Sequence, residues 1–128
     1  MLPRLLLLLG LLLATASAAE RLTLAGTATN TTGGVSAPMH LDLVIDGEKV
    51  TATLRTDAPL SGSGELTGRL AGGWLELQGQ VAEGFRLKFR GALNARDCRG
   101  TYVAAVPGQL VQYGRFQLAR RPPATAAP

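Results

Sequence analysis

The side chains able to do chemistry are few, and their isolation is informative. His40 is the only histidine and Cys98 the only cysteine among 128 residues. A zinc site draws on several His, Cys or carboxylate ligands, and one of each leaves the common sets incomplete. A nucleophilic triad would need His40 beside Ser36, Ser61 or Ser63, all in Gly-rich stretches where no spacing supports it. The glycines stand inside alternating runs and tight-turn signals rather than in a phosphate-cradling loop. No catalytic residue, metal or cofactor is expected, and the chain does not read as an enzyme. A lone cysteine excludes an intramolecular disulfide, and Cys98 reads as a small buried hydrophobe.

Charge and aromatic residues suggest contacts instead. The segment "FRLKFR" spaces Arg86, Lys88 and Arg90 two apart, which puts them on one face of a strand, with Arg99 on the next. Such a stripe attracts anionic surfaces. Part of it is expected to be taken up by cross-strand pairing, because Glu76 falls between Arg69 and Arg90 in the register derived below. Sheets that bind nucleic acid present aromatic stacking platforms, whereas Phe85 and Phe89 have inward parity, so no nucleic-acid partner is expected. Trp74 has outward parity beside Gly72-Gly73 and joins Arg86, Lys88 and Arg90 as a candidate surface contact. His40 also points outward.

The inward set is almost wholly apolar, built on residues such as Leu24, Leu41, Leu66, Leu77, Val106 and Leu118. A binding pocket adds a few placed polar groups to an apolar wall. Tyr102 is the clearest inward polar residue, with Asn30 and Thr56 near strand ends. Asn30, Phe89 and Tyr102 are therefore the candidate ligand-binding residues, and the candidate ligand is a small apolar molecule. A lumen filled by its own side chains is the competing expectation. Asn30-Thr31-Thr32 is also a glycosylation sequon.

The elements that must position these residues follow from a period of two. Apolar and polar residues alternate from Arg21 to Arg120 in eight short runs, near 22–29, 40–46, 48–55, 64–71, 74–82, 85–93, 98–106 and 113–120. Asp46-Gly47 as a two-residue turn sets Ile45 opposite Glu48 and Leu43 opposite Val50. Gly72-Gly73 pairs Ala71 with Trp74, Arg69 with Glu76 and Gly68 with Leu77. Ala82-Glu83-Gly84 as a loop with Gly84 left-handed pairs Val81 with Phe85, Gly79 with Leu87 and Glu76 with Arg90. Asn94–Asp97 pairs Leu93 with Cys98 and Phe89 with Tyr102. All four joints keep apolar facing apolar.

An apolar-x-Gly-x-apolar motif recurs within these runs, at Gly26, Gly68, Gly79, Gly91 and Gly100. Each glycine shares the inward parity of its apolar neighbours. Inward glycines bend a strand and make room for a large side chain opposite, here a leucine at Gly68 and Gly79. Short connections between successive strands give an all-β, antiparallel up-and-down meander, and eight strands close a small barrel. A two-sheet β-sandwich is the alternative.

The chain opens with Arg4, an apolar run Leu5–Leu13 and small residues ending Ala16-Ser-Ala-Ala19. This is the layout of a secretory signal peptide over residues 1–19, cleaved near Ala18 or Ala19, and the run is short for a membrane span. The expected product is secreted or periplasmic, with no integral membrane segment. Residues 20–121 form one domain, and the Pro/Ala-rich residues 122–128 a disordered tail. Losing Arg4 leaves 12 Lys+Arg against 9 Asp+Glu, a net charge of +3.

At the first run, "LAGTATNTTGG" resembles the opening strand of the avidin family, roughly Leu-x-Gly-x-Trp-x-Asn-x-x-Gly. Leu24, Gly26, Asn30 and Gly33 match, and Ala28 stands where that family has Trp. The wider likeness, a secreted chain of eight short meandering strands, is shared by avidins and lipocalins. The resemblance implies a barrel and, from the avidin role of that Asn in holding the biotin head group, a ligand contact at Asn30. Avidins ring biotin with several tryptophans, and this chain has only Trp74.

Two functions therefore stand: an exported, non-enzymatic barrel binding a small apolar ligand in its lumen, or an interaction or cell-envelope-associated protein using its outer surface around a filled lumen. A homo-oligomer is compatible with either.

Overall fold

A computed structural model describes residues 19–81 and 84–122. Apart from Ala19 and Pro122, the expected signal peptide and tail lie outside the described residues. Eight strands run in order: β1 Glu20–Asn30, β2 Val35–Asp46, β3 Lys49–Thr56, β4 Gly64–Ala71, β5 Trp74–Gln80, β6 Arg86–Leu93, β7 Asp97–Ala105 and β8 Gln112–Arg121. Each pairs antiparallel with the next, and β8 returns to β1, closing an up-and-down barrel rather than a sandwich. No helix among the described residues is long and apolar enough to cross a membrane.

Alternation carries this architecture. In β3 and β6 buried and exposed residues alternate along most of the strand, as a strand with one face on a core requires. Three of the expected joints have the expected register. Gly72 and Gly73 both have positive φ, at 59° and 79°, which fits a tight primed hairpin turn. Gly84 is left-handed at 81°, and the Val81 amide donates to the Phe85 carbonyl at 2.9 Å.

The β2–β3 joint differs. Asp46 pairs with Lys49 and Ile45 with Val50, so the turn is Gly47-Glu48 and the register lies two residues from the expected one. A slip of two leaves every side chain on its own face, so parity cannot detect it. The observed register sets Leu41 against Leu54 and keeps Glu48 at the exposed tip. β2 also starts at Val35 rather than residue 40, running through Pro38. The Pro38 carbonyl accepts from the Asp57 amide at 3.0 Å, so its backbone faces the far edge and the β1 ladder loses no donor.

The core is one apolar cluster through the barrel axis, with Leu24, Leu41, Val50, Cys98 and Leu118 fully buried. Phe89 stacks on Tyr102 with centroids 5.7 Å apart and tilts against Phe116 at 5.4 Å. These rings fill the middle of the lumen. Val106 is half-buried and outside that cluster, because β7 ends before it.

The inward glycines act on backbone more than on side chains. A Cβ on Gly68 would collide with the Glu76 carbonyl oxygen and lie 2.9 Å from the Leu77 Cα. The space therefore admits the β5 backbone, which corrects the expectation of a leucine side chain there. Gly91 and Gly100 are cross-strand partners, and Phe116 Cζ lies 2.8 Å from where a Gly91 Cβ would sit. Close backbone approach along these seams is what curls eight strands into a closed sheet.

Cys98 is fully buried, and its thiol is pushed up to about 11, first by burial and then by the neighbouring Asp97 carboxylate, with Arg120 partly opposing. Its raised folded-state value favours the folded thiol, so this contribution is fully present below the ordinary 9.0 and is lost as pH rises toward 11. A thiol-reactive disulfide reagent at neutral pH is expected to leave native Cys98 unlabelled and to label it fully in denaturant. Rapid native labelling would contradict the buried placement.

The connections divide into two ends. The tight turns at 47–48 and 72–73 and the loop at 94–96 lie at one end, the base, with the start of β1 and the end of β8. The connections 31–34, 57–63 and 106–111 surround the other end, the mouth, where β5 ends and β6 begins.

Candidate functional site

A cavity of about 270 Å³ opens at the mouth. Asn30, Phe89 and Tyr102, the three residues singled out as ligand contacts, all line it, as does Thr56. Met39, Leu54, Leu60 and Leu87 supply apolar wall, and Ser61 and Gln112 further polar atoms. No charged side chain lines it among the described residues.

Each polar group is placed by its element. Asn30 closes β1 and is 7% exposed. Its Oδ1 accepts from the Gly33 amide at 2.8 Å, and its carbonyl accepts from the Gly34 amide at 2.8 Å. Its Nδ2 donates to Gln112 Oε1, which ties the ends of β1 and β8 together. Asn30 thus works first as the brace of the β1–β2 turn, with one amide hydrogen left over.

Tyr102 lies flat across its cross-strand partner Gly114, where any Cβ would occupy the ring's place. Burial raises its hydroxyl's pKa, which keeps it a neutral donor and acceptor at physiological pH. Its hydroxyl makes no hydrogen bond to another described residue, and the residue faces the cavity.

The loop 57–63 covers part of the opening. The Thr56 amide donates to Ser63 Oγ at 3.2 Å and Thr56 Oγ1 to the Gly62 carbonyl at 3.4 Å. This pinched base turns Leu60 against the core.

Gln112, Met39 and Leu60 were not singled out by sequence. Met39 shares the parity of Leu41, and Gln112 that of Phe116, so extending two strands by one residue each would have found them. Leu60 belongs to a loop and carries no periodic signal.

The outer wall differs in kind. Arg86, Lys88 and Arg90 are exposed on β6, and Trp74 is 49% exposed. Arg69, Glu76 and Arg90 are cross-strand neighbours as expected. No ion pair joins them among the described residues, where Arg99 Nε to Asp97 Oδ2 at 3.4 Å is the one bridge. Arg90 instead sets its guanidinium 5.1 Å from the Trp74 ring centroid, on the diagonal of the ladder. An exposed ion pair is worth little, and a flat ring beside a guanidinium competes well with it. A wider cleft of about 620 Å³ lies on this wall, between Arg69, Glu76, Gln78, Lys88, Arg90 and Thr101. Its lining includes the charged side chains of Arg69, Glu76, Lys88 and Arg90, whereas the mouth, among the described residues, is lined by apolar and uncharged polar residues alone, the mix found in small-molecule sites. His40 lies outward between Ala25 and Arg55, and none of Ser36, Ser61 and Ser63 is its cross-strand partner. Compared with known proteins, the chain matches no family model, no curated protein and no solved structure.

Proposed function

We propose that this protein is an exported, non-enzymatic barrel that holds a small, uncharged, largely apolar molecule at its mouth. The observation that carries the reading is convergence. Asn30, Phe89 and Tyr102 come from three strands and meet at one uncharged cavity. At about 270 Å³ it falls just under the usual range for ligand sites, which restricts the occupant to a small molecule. Met39, Leu54 and Leu87 supply its apolar surroundings, the Tyr102 hydroxyl its clearest polar contact, and the leftover amide hydrogen of Asn30 a second. The avidin-like first strand supports the same end of the barrel, since it places Asn30 there. The absence of a tryptophan in the cavity argues against biotin itself.

Native mass spectrometry of the purified protein, with extracted small molecules identified, tests this. A bound neutral molecule is the expected result, and an empty chain overturns the reading. For the molecule so identified, Tyr102→Phe is expected to weaken binding about five- to tenfold, the weight of one hydrogen bond. Thermal stability should change little. Unchanged affinity would remove Tyr102 from the site.

A second reading, interaction through the outer wall, is supported by the half-exposed Trp74 under Arg90. An empty mouth together with a partner lost on Trp74→Ala would select it.

A further inference from the structure

Large apolar side chains are exposed at five described positions, and four of them gather at the mouth: Val35 at 38%, Leu110 at 86%, Val111 at 41% and Tyr113 at 56%. The fifth, Trp74, is at the base. The mouth group has a local cause. Val106-Pro107-Gly108-Gln109 is a tight turn, with Gly108 at φ 79° and the Gln109 amide donating to the Val106 carbonyl at 3.0 Å. Proline second and a positive-φ glycine third is the pattern of a type II turn. It sends Leu110 and Val111 out past Ala104 and Gln112, the last residues that β7 and β8 pair with each other. Tyr113 follows, held beside the β1–β2 turn because its carbonyl accepts from the Thr31 amide at 2.9 Å.

Behind this apolar edge stands a collar of cations. Arg86 pairs with Ala105 at the rim. Lys88 lies in the same cross-strand row as Val103 and Tyr113, and Arg115 is one step further from the mouth. The charge is one-sided: residues 64–121 carry 9 Lys+Arg against 4 Asp+Glu, while residues 20–57 carry 3 against 5.

We infer that the mouth rim docks on a bilayer surface that contains anionic lipid. The order of groups along the barrel axis is the argument. Leu110 and Val111 are outermost, where acyl chains would be met. Behind them Arg86 stands at the rim row. Tyr113, an amphipathic ring of the kind that settles at the headgroup level, shares the next row with Lys88, and Arg115 lies one step deeper, so cations flank the ring at phosphate depth. A second copy of this chain fits poorly, since apposed rims would bring two cationic collars together. The inference deepens the mouth reading: an apolar ligand would pass between bilayer and cavity through this edge without crossing water.

The barrel closes within the described strands, so the chain from Glu20 onward serves for the test. It is expected to co-sediment with vesicles of phosphatidylcholine and phosphatidylglycerol in equal parts, and weakly with phosphatidylcholine alone. Leu110→Asp, at an exposed position, should lose roughly tenfold or more in vesicle affinity, the weight of one inserted leucine. Lys88→Gln should lose about fivefold and flatten the salt dependence. In a chain carrying Leu110→Trp and Trp74→Phe, indole emission should shift to the blue on adding vesicles, whereas Trp74 in the native chain should not shift. Absence of vesicle binding, or Leu110→Asp binding as tightly as the native chain, overturns the inference. So does equal or stronger binding to an acidic protein or a soluble polyanion, which would assign the collar to another partner. Small-molecule binding by Leu110→Asp in lipid-free buffer is read separately, so loss of docking and loss of the mouth ligand are distinguishable.

Discussion

Gly68→Ala is expected to lower stability by about 3 kcal/mol or more, although it adds a single methyl group at a strand position that normally welcomes one. In an ordinary strand, replacing glycine by alanine removes backbone freedom from the unfolded chain and gains a fraction of a kcal/mol. Here the new Cβ would overlap the Glu76 carbonyl oxygen and crowd the Leu77 Cα, both main-chain atoms of β5. A flexible side chain can rotate away, but a paired backbone yields only by opening its ladder. Overpacking of this kind costs from one to several kcal/mol. For a domain of this size the melting temperature should fall by roughly 10–20 °C, read by circular dichroism. Gly33→Ala is the control. Gly33 has ordinary φ, nothing nearer than Asn30 Oδ1 at 3.7 Å, and an amide bond that the substitution keeps. It should be close to neutral. Equal melting temperatures for the two variants would show that close backbone approach at Gly68 is not what closes the barrel.

Phe89→Ala is the second large effect, expected to cost about 3–5 kcal/mol by denaturant unfolding. Phe89 is 3% exposed and sits between the rings of Tyr102 and Phe116. Removing it deletes two aromatic contacts and leaves a void that neighbouring strands cannot close without breaking register. That void would also join the mouth cavity, because Phe89 forms its inner wall. Phe89→Leu keeps most of the volume and should cost clearly less. A loss below about 1 kcal/mol for Phe89→Ala would mean the lumen is not packed around these rings.

Much of this was readable in advance because a barrel with an apolar lumen obeys a simple parity. Each hairpin ties two strands by a short turn, and turns at Gly72-Gly73, Gly84 and Asn94–Asp97 each had one register that was both tight and apolar-consistent. At Asp46-Gly47-Glu48 two registers kept every side chain on its own face, and the observed one differs in setting Ile45 against Val50 and Leu41 against Leu54. Parity also brought out Phe89 and Tyr102, while Asn30 was marked by its place at a strand end. It could not show that they share a cavity, since that depends on which strand ends lie together once the sheet closes. Leu60 escaped because its burial arises from a loop folded over the mouth. The Glu76 pairs were misjudged because register fixes which residues are neighbours, while the choice between a carboxylate and an indole is made among rotamers.

The pairing of β8 with β1 has a consequence in time. Of the eight strands, the one that completes the ladder at both open edges is synthesised last, and its partner β1 first. Until Arg121 has emerged, β1 and β7 each present an unpaired row of amides and carbonyls, the kind of edge that recruits other chains. Thr23 finds Arg121 only after a loop spanning nearly the whole domain has closed, the step that topology makes slowest. Every earlier hairpin can form from neighbours, but the inside of this molecule comes into existence only when its two ends meet.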